Sequence, residues 1–410
     1  MTQPYSLYIH IPFCRHRCAY CDFNTYAGQD DSIPTYVKAL CRELEFIGSN
    51  APEKLTLHTI FFGGGTPSLL IPSQFEAILK TILDHFMLSN PEITIEANPG
   101  TVSLDSLREL RSLGIDRISF GVQSASPSEL RMLERAHSYF DVINAVTWAR
   151  QAGFDNLNLD LIYGLPLQTL DDWSATLKLI LGLAPEHLSL YALTLEHGTP
   201  FGRWSSRGLM PLPDPDLAAD MYEWAGESLE TAGYEQYEIS NWAKNDRRPS
   251  MEDGLSLSVL GLFHPPSQAC VHNLQYWRGL PYLAAGAGAH GYVNGYRYSN
   301  VLRIKTYIDR LAESRFPDLE FPLTPATVNQ HKQSLQDDMG EFMMTGLRLT
   351  REGVSAETFQ ERFGQELETV FGAEIEDLIR LGLLARQAEH LRLTRRGRLL
   401  GNQAFARFIE

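Results

Sequence analysis

Tyr8-Ile-His-Ile-Pro-Phe-Cys14-Arg-His-Arg-Cys18-Ala-Tyr-Cys21 ends a β-branched, aromatic run with three cysteines, separated by three residues and then by two. A short loop with that spacing can aim three thiolates at one cubane iron–sulfur cluster, for which thiolates are the usual ligands. Three cysteines on a four-iron cubane leave one iron with an open position. An open position separates a reactive metal centre from a structural one. Three plainer readings stand beside this one. A disulfide fits poorly with 5 Cys, an odd number, and with an N-terminus lacking a basic segment and an apolar signal core. Structural zinc on Cys14, Cys18, Cys21 and His16 or His10 has the right ligand types, but zinc knuckles usually pair two Cys-x-x-Cys halves. Buried cysteines grouped by chance are the third.

The surrounding composition narrows the class. A chain of 410 residues implies two or three domains. Hydrophobic content of 44% and charged content of 21% describe an ordinary globular protein. No apolar run is long enough to span a bilayer, and the N-terminus carries no targeting signal, so a cytoplasmic location is expected. The formal net charge of −15 argues against a general nucleic-acid binder, which needs clustered Lys and Arg.

From Leu7 to about Gly233 strand-like and helix-like runs alternate, which predicts an α/β fold with a parallel sheet. Strands are expected at Leu7–Pro12, Leu57–Phe62, Ile93–Ala97, Arg117–Gly121, Asn156–Ile162 and Leu188–Leu193. Amphipathic helices are expected at Ile33–Ile47, Pro72–Phe86, Ser103–Leu113, Tyr139–Ala152, Leu170–Leu181 and Asp216–Thr231. Ser103 and Asp171 read as opening caps, and Gly114 and Gly153 as stops. An open doubly wound sheet and a curved (β/α) barrel both fit this pattern. In either, ligands gather at the carboxyl ends of the strands. Cys14 follows the first strand, Gly63-Gly64-Gly65 the second, and Glu96, Gln123 and Asp160 fall late in the third, fourth and fifth. One rim thus collects the unusual residues.

Each of these has a plainer reading. Three glycines can simply make a tight turn. They lack the Gly-Lys-Ser/Thr ending of a phosphate loop, so close backbone approach to a small polar ligand is the functional reading. Glu96 and Asp160 sit in apolar strands, where an unpaired carboxylate is costly to bury, which favours a ligand. Arg135 lies in a mixed helical stretch and reads equally as a solvated face. Cys41 and Cys270 read as thiols without a role, although Cys270 is two residues from His272.

Past Gly233 the pattern changes. Tyr234–Ala243 reads as a strand and turn, and about 245–270, with its apolar patch Leu255–Phe263, reads as an insertion. His272-Asn273-Leu-Gln-Tyr276-Trp277 is either a packed aromatic corner or a haem contact, since imidazole is a common axial ligand. Gly286-Ala-Gly-Ala-His290 is small enough to let backbone approach the cofactor site. From about Ala312 a helical domain follows. Asp337–Thr345 and Ser355–Phe363 are amphipathic, Leu384–Arg386 and Leu391–Thr394 read as a wing, and Arg395–Phe408 as a helix. Arg392, Arg395, Arg396 and Arg398 form a local basic patch. A winged helix invites a DNA reading, but in so acidic a chain a lid or protein-contact role is expected.

The Cys-x-x-x-Cys-x-x-Cys loop, followed after the next strand by Gly63-Gly64-Gly65-Thr66-Pro67, resembles the radical S-adenosylmethionine superfamily. Tyr8-x-His-Ile-Pro-Phe-Cys14 and Asp160-Leu-Ile-Tyr-Gly-Leu-Pro166 resemble the oxygen-independent coproporphyrinogen III oxidase group, and within it the HemW-type haem chaperones. The resemblance covers most of the chain. It implies a partial (β/α)6 barrel with a C-terminal helical, winged-helix-like domain, divided as 1–233 for cluster and cofactor, 234–311 for a haem-associated extension, and 312–410. It implies a [4Fe-4S] cluster on Cys14, Cys18 and Cys21. It places S-adenosylmethionine on Tyr8, Gly63, Gly64, Gly65, Thr66, Glu96, Gln123, Arg135 and Asp160, and haem on His272, Asn273, Tyr276 and Trp277.

The function implied is binding of cluster, S-adenosylmethionine and haem, with transfer of haem to an acceptor protein. A flavodoxin or ferredoxin would serve as electron donor. No nucleic acid is expected, and membrane contact only through an acceptor. The alternative is a coproporphyrinogen III dehydrogenase that oxidatively decarboxylates two propionates. Authentic oxidases of the group carry a fourth cysteine two residues past the third and a long N-terminal extension. This chain has Cys21-Asp22-Phe23, and thirteen residues precede Cys14. Both departures favour the chaperone.

Overall fold

A computed structural model of the chain describes residues 4–246, 264–312 and 319–409. Most of the insertion read at about 245–270, including Leu255–Phe263, lies outside the described residues. Packing divides the chain into two units, Met1–Tyr222 with Pro281–His331, and Glu223–Leu280 with Lys332–Glu410.

The first unit is built on six parallel strands: β1 (Tyr5–Ile11), β2 (Thr56–Gly64), β3 (Met87–Ala97), β4 (Arg117–Gln123), β5 (Asn156–Tyr163) and β6 (His187–Ala192). Between them run α1 (Ile33–Asn50), α2 (Pro72–His85), α3 (Leu104–Ser112), α4 (Pro127–Met132), α5 (Tyr139–Gln151) and α6 (Leu170–Leu181). A doubly wound sheet reverses its strand order at a switch point. Here the strands neighbour one another in chain order without reversal, and α1 packs on α2, α2 on α3, and α3 on α5. The helices therefore share one side, and the other face of the sheet becomes the inside of a partial barrel. The sheet is open, not closed. Beyond β1 it continues through Tyr282–Ala285, His290–Val293, Tyr296–Asn300 and Thr327–Lys332. Tyr282–Ala285 pairs in parallel with β1, Ser6 opposite Tyr282 and Ile9 opposite Ala285. That pairing draws Pro281–His331 into the first unit.

Local chemistry explains the boundaries. The Ser103 hydroxyl accepts from the Ser106 N–H at the start of α3, and Ser138 and Asp141 cap α5 reciprocally. Helix α6 is capped by Thr169 rather than Asp171: its hydroxyl accepts from the Asp172 N–H at 3.2 Å, and Asp172 accepts from the Thr169 N–H at 3.0 Å. Gly114 (φ +93) and Gly153 (φ +89) follow α3 and α5 in the left-handed conformation that glycine tolerates. Helix α4 is too short, at six residues, to show a period in sequence.

Under the helices the packing is apolar, with Phe62 against Phe75 edge to face at 5.2 Å. The inner face is polar instead. Asn158 Nδ2 donates to Ser119 Oγ and to Asp160 Oδ1, each at 2.8 Å. Its Oδ1 accepts from His187 Nδ1 at 2.6 Å and Ser189 Oγ at 3.1 Å. Burial holds the His187 ring well below its ordinary pKa, hence neutral. Each buried polar atom of this network has a partner, as a stable interior requires.

The second unit contains the hairpin Tyr234–Glu238 and Asn241–Lys244, the short helix Val271–Trp277, and helices Leu335–Gly346, Ala356–Phe363 and Leu367–Arg380. A three-stranded wing pairs Val354–Ser355, His390–Leu393 and Leu384–Gln387. Phe342, Phe359, Phe371 and Phe408 form part of its core. Two sequence expectations are corrected. Leu367–Arg380 is a helix that the sequence reading left out. The single helix expected over Arg395–Phe408 is broken at Leu400 (φ −111, ψ 25) into Arg395–Leu399 and Gly401–Phe405. Close packing accompanies the break: a Cβ on Gly397 would stand 2.0 Å from the Leu383 carbonyl oxygen. Arg398 donates to Gln236 Oε1 at 2.8 Å, Arg392 to Gln387 Oε1 at 2.6 Å, and Arg396 to the Leu381 carbonyl at 3.3 Å. These three arginines of the basic patch are thus tied into their own unit. Among the described residues no helix is long and apolar enough to cross a membrane.

Candidate cluster and cofactor site

Cys14 ends the two-residue strand Phe13–Cys14, which pairs with Tyr26–Ala27 just past β1. Cys18 and Cys21 follow in a turn closed by the Cys21 N–H on the Cys18 carbonyl at 3.1 Å. All three are free thiols, Cys14 buried and the other two half-buried. Burial raises the Cys14 and Cys21 thiols, and the neighbouring cysteines raise them further. Among the described residues no three His, Cys, Asp or Glu side chains are arranged to share one metal ion. A cubane makes a different demand, since each thiolate takes its own iron.

A chain of contacts along the strand ends joins two of these cysteines. The Thr66 hydroxyl, just past β2, donates to Cys14 Sγ at 3.6 Å. Asn98, just past β3, donates through Nδ2 to Thr66 Oγ1 at 2.9 Å and accepts from Arg135 Nη2. Arg135 also donates to the Gly121 carbonyl at 2.6 Å and, through Nη1, to Cys18 Sγ at 3.5 Å. Burial opposes the Arg135 charge, but Tyr20 and Cys18 outweigh it and hold the guanidinium firmly protonated. Its Nε–H is buried and has no partner among the described residues. The structure thus removes the solvated-face reading of Arg135. A cation beside Cys18 suits a thiolate-bound cluster.

The glycines have a packing reason of their own. A Cβ on Gly63 would meet Phe61 at 2.9 Å, Tyr8 at 3.0 Å and Glu96 Oε2 at 3.1 Å; one on Gly65 would lie 2.6 Å from the Phe13 carbonyl oxygen. Gly64 has φ +110 and faces the His10 ring. The Gly65 N–H donates to the Ile11 carbonyl at 2.9 Å and that of Thr66 to Phe13 at 2.8 Å. The loop therefore lies flat against the chain leading to Cys14. Gly65→Ala should force those backbones apart at a cost of about 1–3 kcal/mol. Calorimetry should read this as a clear fall in Tm, and an unchanged Tm would show that the loop can yield.

Beside that loop Glu96 Oε2 accepts the Gly64 N–H at 2.9 Å. Burial, then the charge of Asp160, push the Glu96 carboxyl up to about 7. Asp160 is raised by burial too, against hydrogen bonds from Asn158, Ser119 and Ser189. Two carboxyls sharing the inner face at the same rim disfavour each other's charge, and a cationic ligand such as a sulfonium amino acid would favour their ionised forms. Gln123 stands at the end of β4, buried at 8% exposure with φ +69. A long side chain in the left-handed region marks local strain, which clusters at functional sites.

The Tyr8 hydroxyl lies 3.0 Å from His10 Nδ1, and His10 Nε2 lies 3.0 Å from the Asn24 carbonyl. A carbonyl can only accept, so His10 carries its proton on Nε2 and Tyr8 donates to Nδ1. Burial keeps His10 neutral in support of that assignment. Asn98 and Asn24 were not picked out from sequence, and His10 was considered only as an alternative zinc ligand. Only their placement directly after strands or inside the cysteine motif hinted at them.

In the second unit, His272, Asn273, Tyr276 and Trp277 share one short helix. His272 is 1% exposed, with Nε2 at 2.9 Å from the Tyr276 hydroxyl. Asn273, Tyr276 and Trp277 are half-buried. The Arg348 guanidinium lies 4.3 Å from the Trp277 ring and 3.5 Å from the buried Glu238 carboxylate. The helix is thus also a packing element.

The radical SAM superfamily matches residues 8–180, and the HemN C-terminal domain matches residues 333–400. The heme chaperone HemW of Bacillus subtilis is 38% identical over 407 residues, covering 98% of this chain and 99% of that one. HemW of Escherichia coli is 34% identical over 411 residues, covering 99% and 98%. The solved structure of coproporphyrinogen III oxidase (HemN) from Escherichia coli has a TM-score of 0.80 at 24% identity, over 99% of this chain and 90% of that one. That last likeness speaks to the fold. Matched along nearly its whole length at these identities, the chain belongs to the HemW family within the radical SAM superfamily.

Proposed function

We propose that the chain is a haem chaperone, which binds haem and passes it to a haem-requiring acceptor protein on a scaffold carrying a [4Fe-4S] cluster and S-adenosylmethionine. The observation that carries this is the similarity to the Bacillus subtilis heme chaperone over 98% of the chain. The cysteine loop agrees. Two residues past Cys21 stands Phe23, 64% exposed, where the oxidases of the group have a fourth cysteine.

Cys14, Cys18 and Cys21 would hold the cluster, with Arg135 balancing thiolate charge at Cys18. S-adenosylmethionine, when bound, supplies any radical chemistry. Its seat would be the backbone of Gly63, Gly64, Gly65 and Thr66 with Tyr8, Glu96, Gln123, Arg135 and Asp160. Glu96 and Asp160 offer negative charge to the ammonium and sulfonium, and the Gly64 N–H fixes Glu96. Haem would sit on His272, Asn273, Tyr276 and Trp277. Functionally, residues 1–233 carry the cofactors, 234–311 the haem contact, and 312–410 a protein-contact role. A flavodoxin or ferredoxin would donate electrons in the cytoplasm, nucleic acid is not a partner, and a membrane is met only through an acceptor.

Incubation with coproporphyrinogen III, reductant and S-adenosylmethionine should yield no protoporphyrinogen, while haem titration should saturate. Robust turnover would favour the dehydrogenase instead. For His272 to bind iron through Nε2, its contact with Tyr276 must open. His272→Ala should weaken haem binding, and Tyr276→Phe should strengthen it about fivefold by removing one competing hydrogen bond. Unchanged titrations and spectra in both variants remove His272 from the haem site.

A further inference from the structure

The turn carrying Cys18 and Cys21 is half-exposed, and no helix or strand contains it. Three residues past Cys21, Asn24 is tied to distant parts of the chain. Its Nδ2 donates to the carbonyls of Ala287 and Leu302, each at 3.0 Å. Its own carbonyl accepts from His10, which in turn accepts from Tyr8. Tyr26 adds a second bond to the Leu302 carbonyl at 3.1 Å.

The turn that receives Asn24 fits it closely. Gly288 has φ +81, and a Cβ there would stand 2.4 Å from Asn24 Nδ2; Gly286 has φ +106, and a Cβ would stand 2.4 Å from the His10 carbonyl oxygen. The turn is fastened from behind by Glu43, fully buried in α1. Glu43 accepts from the Gly286 N–H, Asn300 Nδ2 and Thr324 Oγ1, each at 2.8 Å, and from the Tyr307 hydroxyl at 2.6 Å. Tyr36 donates to the His10 carbonyl at 2.7 Å and accepts from the Ala287 N–H at 2.9 Å. A buried carboxylate engaged by four donors is an anchor.

We propose that Asn24 is a positioning residue for the cluster: the Gly286–Gly288 turn, anchored by Glu43, grips the Asn24 amide and sets where Cys21 stands relative to Cys14 and Tyr8. This rests on the assignment of the three cysteines as cluster ligands. Cys14 is placed by strand pairing and by Thr66. Cys18 is held by Arg135 and through its neighbour Ala19, whose carbonyl accepts the Phe201 N–H at 3.0 Å, whereas past Cys21 both Asp22 and Phe23 are exposed, so the Asn24 tie fixes that end of the loop.

The test uses the full chain, reconstituted anaerobically, as wild type, Asn24→Ala, Gly288→Ala and the double variant. It reads the rate of iron loss to a chelator, the electron paramagnetic resonance of the reduced cluster with and without S-adenosylmethionine, and the Tm of the chain before reconstitution. Losing both amide hydrogen bonds should populate a displaced loop about tenfold more, seen as faster iron loss and an altered resonance. Gly288→Ala should do the same. The double variant should match Asn24→Ala in cluster readouts while being less stable. A lower Tm with wild-type iron loss and resonance in Asn24→Ala marks a merely structural role and overturns the proposal. If Asn24→Ala fails to fold, the same readouts on Gly288→Ala decide. A wild-type chain that takes up no cluster overturns the ligand assignment and this inference with it.

Discussion

Replacing Cys14, Cys18 and Cys21 together by alanine abolishes the brown absorbance of the reconstituted chain and takes its iron from about four per chain to none. The effect is large because the proposed cluster has no other thiolate at hand. The remaining cysteines, Cys41 and Cys270, lie in α1 and immediately before the helix Val271–Trp277. Little packing is lost with the sulfurs of Cys18 and Cys21, which are half-buried, and only Cys14 is buried. The unreconstituted variant should therefore fold with a Tm close to that of the wild type. Ligands that bind only the folded state stabilise it by mass action, so reconstitution should raise the wild-type Tm and leave the variant unmoved. Structural zinc predicts another result, about one zinc and no visible absorbance. A cluster spectrum that survives in the triple variant refutes the ligand assignment.

How much of this was legible in sequence depended on whether the signal was local. The six barrel strands and most of their helices were, because branched runs bounded by glycine and capped helices write their own pattern. So was the collection of Cys14, Gly63, Glu96, Gln123 and Asp160 at one rim, since order along parallel strands dictates it. The pairing of β1 with Tyr282–Ala285 was not, because nothing local marks a partner so distant in the chain. Asn98 and Asn24 were missed for the same reason: their partners, Arg135 and Leu302, are 37 and 278 residues away. Glu43 hid in an amphipathic helix, where an acidic residue usually reads as solvated, yet it is wholly buried. Leu367–Arg380 carries Gly372 at its middle, which weakens its helical signal. Conversely, the triple glycine suggested a ligand loop, and the structure adds a packing need that sequence could not separate from it.

On the proposed assignment, affinity for S-adenosylmethionine rises with pH through the neutral range, and Glu96→Gln flattens that rise. Glu96 faces the Gly64 N–H, Asp160, Arg117 and Tyr8. Burial and Asp160 together push its carboxyl up to about 7. A cationic ligand binds the carboxylate form, so each pH unit below that value should weaken binding about tenfold, with a proton released on binding. Removing the charge forfeits a charge-assisted hydrogen bond, a loss of about 10- to 150-fold at pH 8. The sign for stability runs the other way. The folded carboxyl titrates above its unfolded value of 4.5, so its stabilising share is complete below that value and is lost as pH rises through about 7. The ligand-free chain should therefore lose Tm between pH 5 and pH 8, and Glu96→Gln should lose less. Calorimetric titration in buffers of different ionisation enthalpy, with thermal melts over the same pH range, checks both slopes. Equal affinities at pH 6 and pH 8 in the wild type, or a Glu96→Gln chain that binds like it, would take Glu96 out of the cofactor seat.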